Sequence, residues 1–172
     1  MKITALSVLV SLLALSVAEA DQRTIDSDPG ADFSSFRTFR IREGAINSRS
    51  PELAGPLTRK KIEEGIRTAL TTKGGMQEVP AQPDLVVQWR FGAANKREVE
   101  TWAVGRWGRG RAFSVNDFTE GTLVVDLYER TGRDLVWRGI YRDDERNPSK
   151  ISAHIADDIN KLFKDFPPKK KK

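Results

Sequence analysis

Between Val104 and Phe113 the chain reads VGRWGRGRAF. Arg106, Arg109 and Arg111 stand beside Trp107, with glycines between them. Guanidinium forks match the geometry of phosphate oxygens, and an indole can stack on a base. An anion site or a nucleic-acid arm is therefore the chemistry these four residues offer. Charge argues against the second. The whole chain carries +5 with a pI near 9.6, but Lys169–Lys172 supply four of those charges, and taking them away leaves +1. A nucleic-acid domain would carry its basic charge on the folded surface. A hydrated loop between two strands is the plainer reading, and an anionic glycolipid or phospholipid is the better ligand if there is one.

The other reactive side chains are few. His154 is the only histidine. On a helix it neighbours Ser149, Lys150, Asp157 and Asp158, and one such pair makes a poor zinc site. Carboxylates run together at Asp143, Asp144 and Glu145, and again at Asp157 and Asp158. Such pairs can do acid/base work or hold calcium, but Arg142 and Arg146 point to surface pairing. The chain has no EF-hand spacing, no G-x-S-x-G elbow and no P-loop. No residue is read as catalytic, and no metal or cofactor is expected. Trp89, Trp102 and Trp137 fall in strands, where packing explains them better than a ligand cage. The terminal PPKKKK has four lysines, the lower end of what holds a protein near anionic lipid. A solvated, disordered basic tail over 169–172 is equally consistent.

The N-terminus bounds the compartment. Residues 1–20 read MKITALSVLVSLLALSVAEA. A basic Lys2, an uncharged apolar run and Ala18-x-Ala20 describe a secretory signal peptide, with the cut expected between Ala20 and Asp21. The run is short for a membrane span. The chain has no cysteine. It can therefore have no disulfide and no thiol nucleophile, and a lipobox anchor is excluded. A periplasmic or secreted protein without a transmembrane segment in its mature part is expected.

The remaining residues must build the scaffold. Phe39 and Ile41 alternate with Thr38 and Arg40, as in a half-buried strand. Residues 42–56 lack periodicity and read as a surface loop. Ile62, Ile66, Ala69 and Leu70 form one stripe, which predicts a helix over 57–73 ended by Gly74 and Gly75. Leu85, Val87, Trp89 and Phe91 share one strand face, and a weaker extended stretch spans 97–104. Residues 120–143 predict a β-hairpin turning at RTGR, with Leu123, Val125 and Leu127 alternating with Val124, Asp126 and Tyr128 on the way out, and Leu135, Trp137 and Tyr141 with Val136, Arg138 and Ile140 on the way back. Ser149, after Pro148, is the expected N-cap of a last helix. Its buried stripe is Ile151, Ile155, Ile159, Leu162, Phe163 and Phe166, and Pro167 and Pro168 end it. The order predicts an α+β two-layer sandwich over residues 21–168. A mainly antiparallel sheet of about 4–5 strands would carry two helices on one face. Gln88, Arg90, Arg138 and Arg40 would face solvent or a partner on the other.

Three segments carry a family likeness: ADFSSFRTFRI, then IEEGIRTALTTKGG followed by PDLVVQW, then EGTLVVDLYERTGRDLVWRG with a helix closing on FPP. In that order the chain resembles the domain-of-unknown-function 4136 family of bacterial envelope proteins, many of them lipoproteins. The resemblance implies an exported α+β domain. The family has no established activity, so it assigns no catalytic residues. The lipobox cysteine common among relatives is missing here, which favours a soluble form. The expected function is a non-catalytic binding module whose partner is an envelope protein or an anionic envelope lipid. The alternatives are a hydrolase, or a carrier of a small anionic or lipidic ligand, with a site formed only in three dimensions.

Overall fold

The computed structural model describes residues 23–42, 44–92, 121–130 and 134–169. The signal peptide, the extended stretch 97–104, the Gly/Arg segment 104–113, the hairpin turn and Lys170–Lys172 lie outside these residues.

Seven strands and three helices occupy the described residues. In chain order they are β1 (Arg23–Ser27), β2 (Thr38–Ile41), β3 (Ala45–Asn47), α1 (Pro51–Ala54), α2 (Pro56–Thr72), β4 (Gln77–Glu78), β5 (Leu85–Gly92), β6 (Gly121–Glu129), β7 (Leu135–Asp143) and α3 (Pro148–Leu162). All strands join one sheet in the order β1-β7-β6-β5-β2-β4, with β3 also paired to β5. The β1-β7-β6-β5 half is antiparallel, and the pairings of β2, β3 and β4 are parallel.

The architecture is thus α+β, with more elements than expected. The additions are short. β3 and α1 lie inside the stretch read as a loop, and α1 has four residues, of which only Leu53 is buried. The strand RTIDS of β1 has one apolar residue, too few to show a period of two.

The long elements follow their hydrophobic patterns. Ile62, Ile66, Ala69 and Leu70 of α2 are buried, as are Ile151, Ile155, Ile159 and Leu162 of α3. They meet Leu85, Val87, Trp89 and Phe91 of β5 and Leu123, Val125 and Leu127 of β6 in one core. After α2 the chain reverses at Gly75, whose φ of +64° a side chain would resist. Asn147, not Ser149, caps α3. Its side chain accepts from the amides of Ser149 and Lys150 at 3.0 and 3.4 Å, and Pro148 takes the first helical position, where no amide is needed.

The hairpin forms as expected, and its register sets Leu123 opposite Tyr141 and Leu127 opposite Trp137. A bulge follows, because Tyr128 opposes Leu135 and leaves Val136 unpaired in that ladder. Val136 consequently turns into the core, at 1% exposure, and Leu135 does not.

The parallel side is tied down by one carboxylate. Asp84 accepts from the amides of Arg37 and Thr38 and from the Thr38 hydroxyl, each at 2.9 Å. Bonds from Arg37 and Thr38 hold its carboxyl below the usual range. They fix the start of β2 against the turn that launches β5.

Candidate functional site

Arg106, Trp107, Arg109 and Arg111 lie outside the described residues, so the geometry neither assembles nor separates them. Of the other sequence candidates, His154, Asp143 and Asp158 come together where α3 packs beside β7, while Glu145 accepts from the amides of Arg146 and Asn147 at the start of α3. His154 Nδ1 sits 3.4 Å from Asp143 Oδ2 on β7. Asp143 and Asp158 are both buried, at 9% and 7% exposure, which corrects the expectation of surface pairing. Lys161 Nζ bridges Asp158 Oδ1 at 3.4 Å and the Tyr141 hydroxyl at 3.2 Å. Burial, then the charge of Asp143, pushes the Asp158 carboxyl up. Burial likewise raises Tyr141.

This cluster has the polarity of an acid/base site, but no described hydroxyl stands beside His154 as a nucleophile. Ser149 Oγ donates to Glu52, and Ser152 Oγ accepts from Lys61. Neither hydroxyl is engaged by His154 as a nucleophile would be. No three His, Asp or Glu side chains converge as metal ligands among the described residues.

The raised Asp158 makes a prediction. The folded state holds its proton more tightly than the unfolded chain does. Stability contributed by that proton is present below the ordinary carboxylate pKa and lost as pH rises through the folded value. Asp158→Asn is therefore expected to raise the melting temperature at pH 7 and to lose that advantage near pH 3. Thermal melts of both proteins across that range check it, and an unchanged difference contradicts it.

A second polar group lies on the sheet face away from the helices. Asp126 of β6 is 1% exposed and faces Arg138 of β7 in register. Arg138 donates from Nε and Nη2 to the two carboxylate oxygens at 2.6 and 2.9 Å, and Arg90 Nη1 adds a contact at 3.3 Å. Val86, Val124 and Ile140 around them are also buried. Arg138 is therefore not the solvent-facing arginine expected. Burial opposes its charge, and the Asp126 bonds and charge more than offset that. Counted back from the turn, the register sets Asp126 opposite Trp137, and only the bulge at Val136 brings Arg138 opposite it, so the pair is not legible in the sequence.

The third feature is the edge of the sheet at β1. The amide of Asp28 donates to Val136 O at 2.9 Å. In an antiparallel ladder this phase turns the backbone groups of Thr24 and Asp26 toward β7 and those of Arg23, Ile25 and Ser27 outward. No described backbone group meets the outward set. Beside this edge runs a groove of about 670 Å³, lined by Ile25, Trp137, Leu162, Phe166, Pro167 and Lys169 among others. A second hollow of about 450 Å³ lies across the Pro167–Lys169 segment, against Ala31 and Phe33. Arg23 spans the rim, donating to Lys161 O at 3.1 Å and to Asp165 at 2.5 Å. Sequence reasoning missed this site because it missed β1.

No curated protein matches the sequence significantly. Among solved structures, a DUF4136 family protein from Bacteroides thetaiotaomicron is 18% identical, covering 84% of this chain and 95% of that one, with a TM-score of 0.61. The fold is shared. A PDZ domain protein from Parabacteroides distasonis is 17% identical, covering 87% of this chain and 35% of that one, with a TM-score of 0.46. The PelC dodecamer from Paraburkholderia phytofirmans is 12% identical, covering 82% and 95%, with a TM-score of 0.43. The last two stand below the level of a shared fold. The family model of the domain of unknown function DUF4136 matches residues 23–168, nearly all that follows the apolar N-terminus, and the chain belongs to that family.

Proposed function

We propose that this chain is an exported, non-catalytic interaction module of the bacterial envelope that binds a protein partner along the β1 edge. The observation that carries this reading is the open edge beside an apolar groove. An added strand satisfies Arg23, Ile25 and Ser27 through main-chain bonds, and its alternate side chains enter the groove. The apolar leader ending in Ala-Glu-Ala supports export, with cleavage after Ala20. No described helix is long and apolar enough to cross a membrane, and the chain has no cysteine to carry a lipid.

Ser27→Pro tests the reading. The Ser27 amide points outward, so proline removes no bond to β7 but blocks strand addition. Affinity capture from the native envelope with both proteins is expected to retain a species on the unmodified chain that the variant loses. Identical retained sets count against the edge.

A second reading is favoured by Lys164 and Lys169 at the groove, with three more lysines following. The groove would then hold the acyl chain of an anionic envelope lipid under a basic rim. Binding of phosphatidylglycerol vesicles that Ser27→Pro leaves intact, with no protein retained, selects it.

A further inference from the structure

We infer that the strand added at β1 belongs to a second copy of this chain, the two β1 strands pairing antiparallel about a two-fold axis through Ile25; this rests on the edge reading above. The first ground is parity. A two-fold axis at Ile25 sets Arg23 opposite Ser27, Ile25 opposite its own copy, and Thr24 opposite Asp26. The outward-facing groups are those of residues 23, 25 and 27. Every residue with free backbone groups then meets another such residue, giving about six hydrogen bonds, because each such pair exchanges two. An axis at Thr24 or Asp26 would still pair outward residues but would leave Ser27 or Arg23 without a β1 partner, giving about four bonds in place of six.

The second ground is charge. No like charges face each other in this register, since Arg23 meets a serine and Asp26 meets a threonine whose hydroxyl can donate to it. The third is the groove. Arg23, Ile25 and Ser27 share the helix-side face, and Ile25 is packed against the core only in part. The second Ile25 enters at the groove edge, beside Trp137 and Leu162. Among the described residues the opposite side of the sheet offers no comparable edge: β4 has two residues and β3 three.

The cysteine-free sequence makes the test specific. In a hydrogen-bonded antiparallel pair the Cα atoms lie about 5.5 Å apart, within disulfide range. In the chain from residue 21 onward, Ile25→Cys alone is expected to form a disulfide dimer under mild oxidation. Thr24→Cys alone is expected not to, whereas Thr24→Cys mixed with Asp26→Cys is. Sedimentation of the unmodified chain is expected to show a concentration-dependent dimer, and of Ser27→Pro a monomer with an unchanged far-UV spectrum. A chain that stays monomeric, with Ile25→Cys linking no faster than Thr24→Cys, overturns the proposal. If that monomer still loses a retained envelope protein on Ser27→Pro, the edge reading stands and only the self-partner falls. If Ser27→Pro changes neither property, both fall.

Discussion

Trp137→Ala is expected to lower the unfolding free energy by about 3–5 kcal/mol, the range for deleting a large buried aromatic ring. Trp137 is 2% exposed. Its ring stacks on Phe163 at 4.9 Å and meets Phe166 edge-on at 5.5 Å. Phe166 in turn meets Phe33 at 5.9 Å, so one ring joins β7, the end of α3 and the turn after β1. The ring lies over Gly139, where a Cβ would come within 2.4 Å of it. That contact explains why a glycine sits in the middle of β7. The truncation loses the transfer energy of the indole and leaves a void that rigid strands cannot fill. Domains of this size are stable by about 5–15 kcal/mol in total, so a large share of the margin goes. Urea unfolding measures it through the midpoint at constant m-value. A loss below about 1 kcal/mol would show that the neighbouring rings collapse into the space.

Removing Asp126 is expected to cost as much by a different mechanism. Asp126→Leu leaves the Arg138 guanidinium, itself buried, without the carboxylate that takes two of its hydrogen bonds. Breaking a buried pair from one side costs about 3–5 kcal/mol, whereas replacing both partners by apolar groups of similar size is often close to neutral. Asp126→Leu with Arg138→Met is therefore expected to recover much of the loss. A full double-mutant cycle in urea reads the coupling directly. Additive effects would mean that the pair contributes through packing rather than through its charges. Arg90 also contacts Asp126, so the cycle needs Arg90→Met as a control.

The two predictions lie on parts of the fold with different legibility. Trp137 was visible in the sequence as a strand tryptophan within an alternating hairpin, and the stripes of α2 and α3 were visible through their period. These elements are long, so their patterns repeat often enough to stand out. β1, β3, β4 and α1 have between two and five residues. Such pieces show hardly one period, and tertiary contacts place them. Asn147 and Ser149 both suit the cap of α3, so composition does not choose between them, and the bulge at Val136 has no composition of its own. Arg138 reads as a solvent-facing alternate of the hairpin but is buried against Asp126. Burial on the second sheet face depends on what surrounds it, which local pattern does not encode. The edge site was illegible for the same reason as β1 itself.

The asymmetry of the sheet margins sets a limit on growth. A sheet with two long open sides can recruit copies indefinitely and become a fibre. Here, among the described strands, one side ends in β4, two residues long, and the contact proposed about Ile25 would use the same patch on both molecules. Pairing in this way would cover the one long margin among the described strands, so association would terminate at a pair.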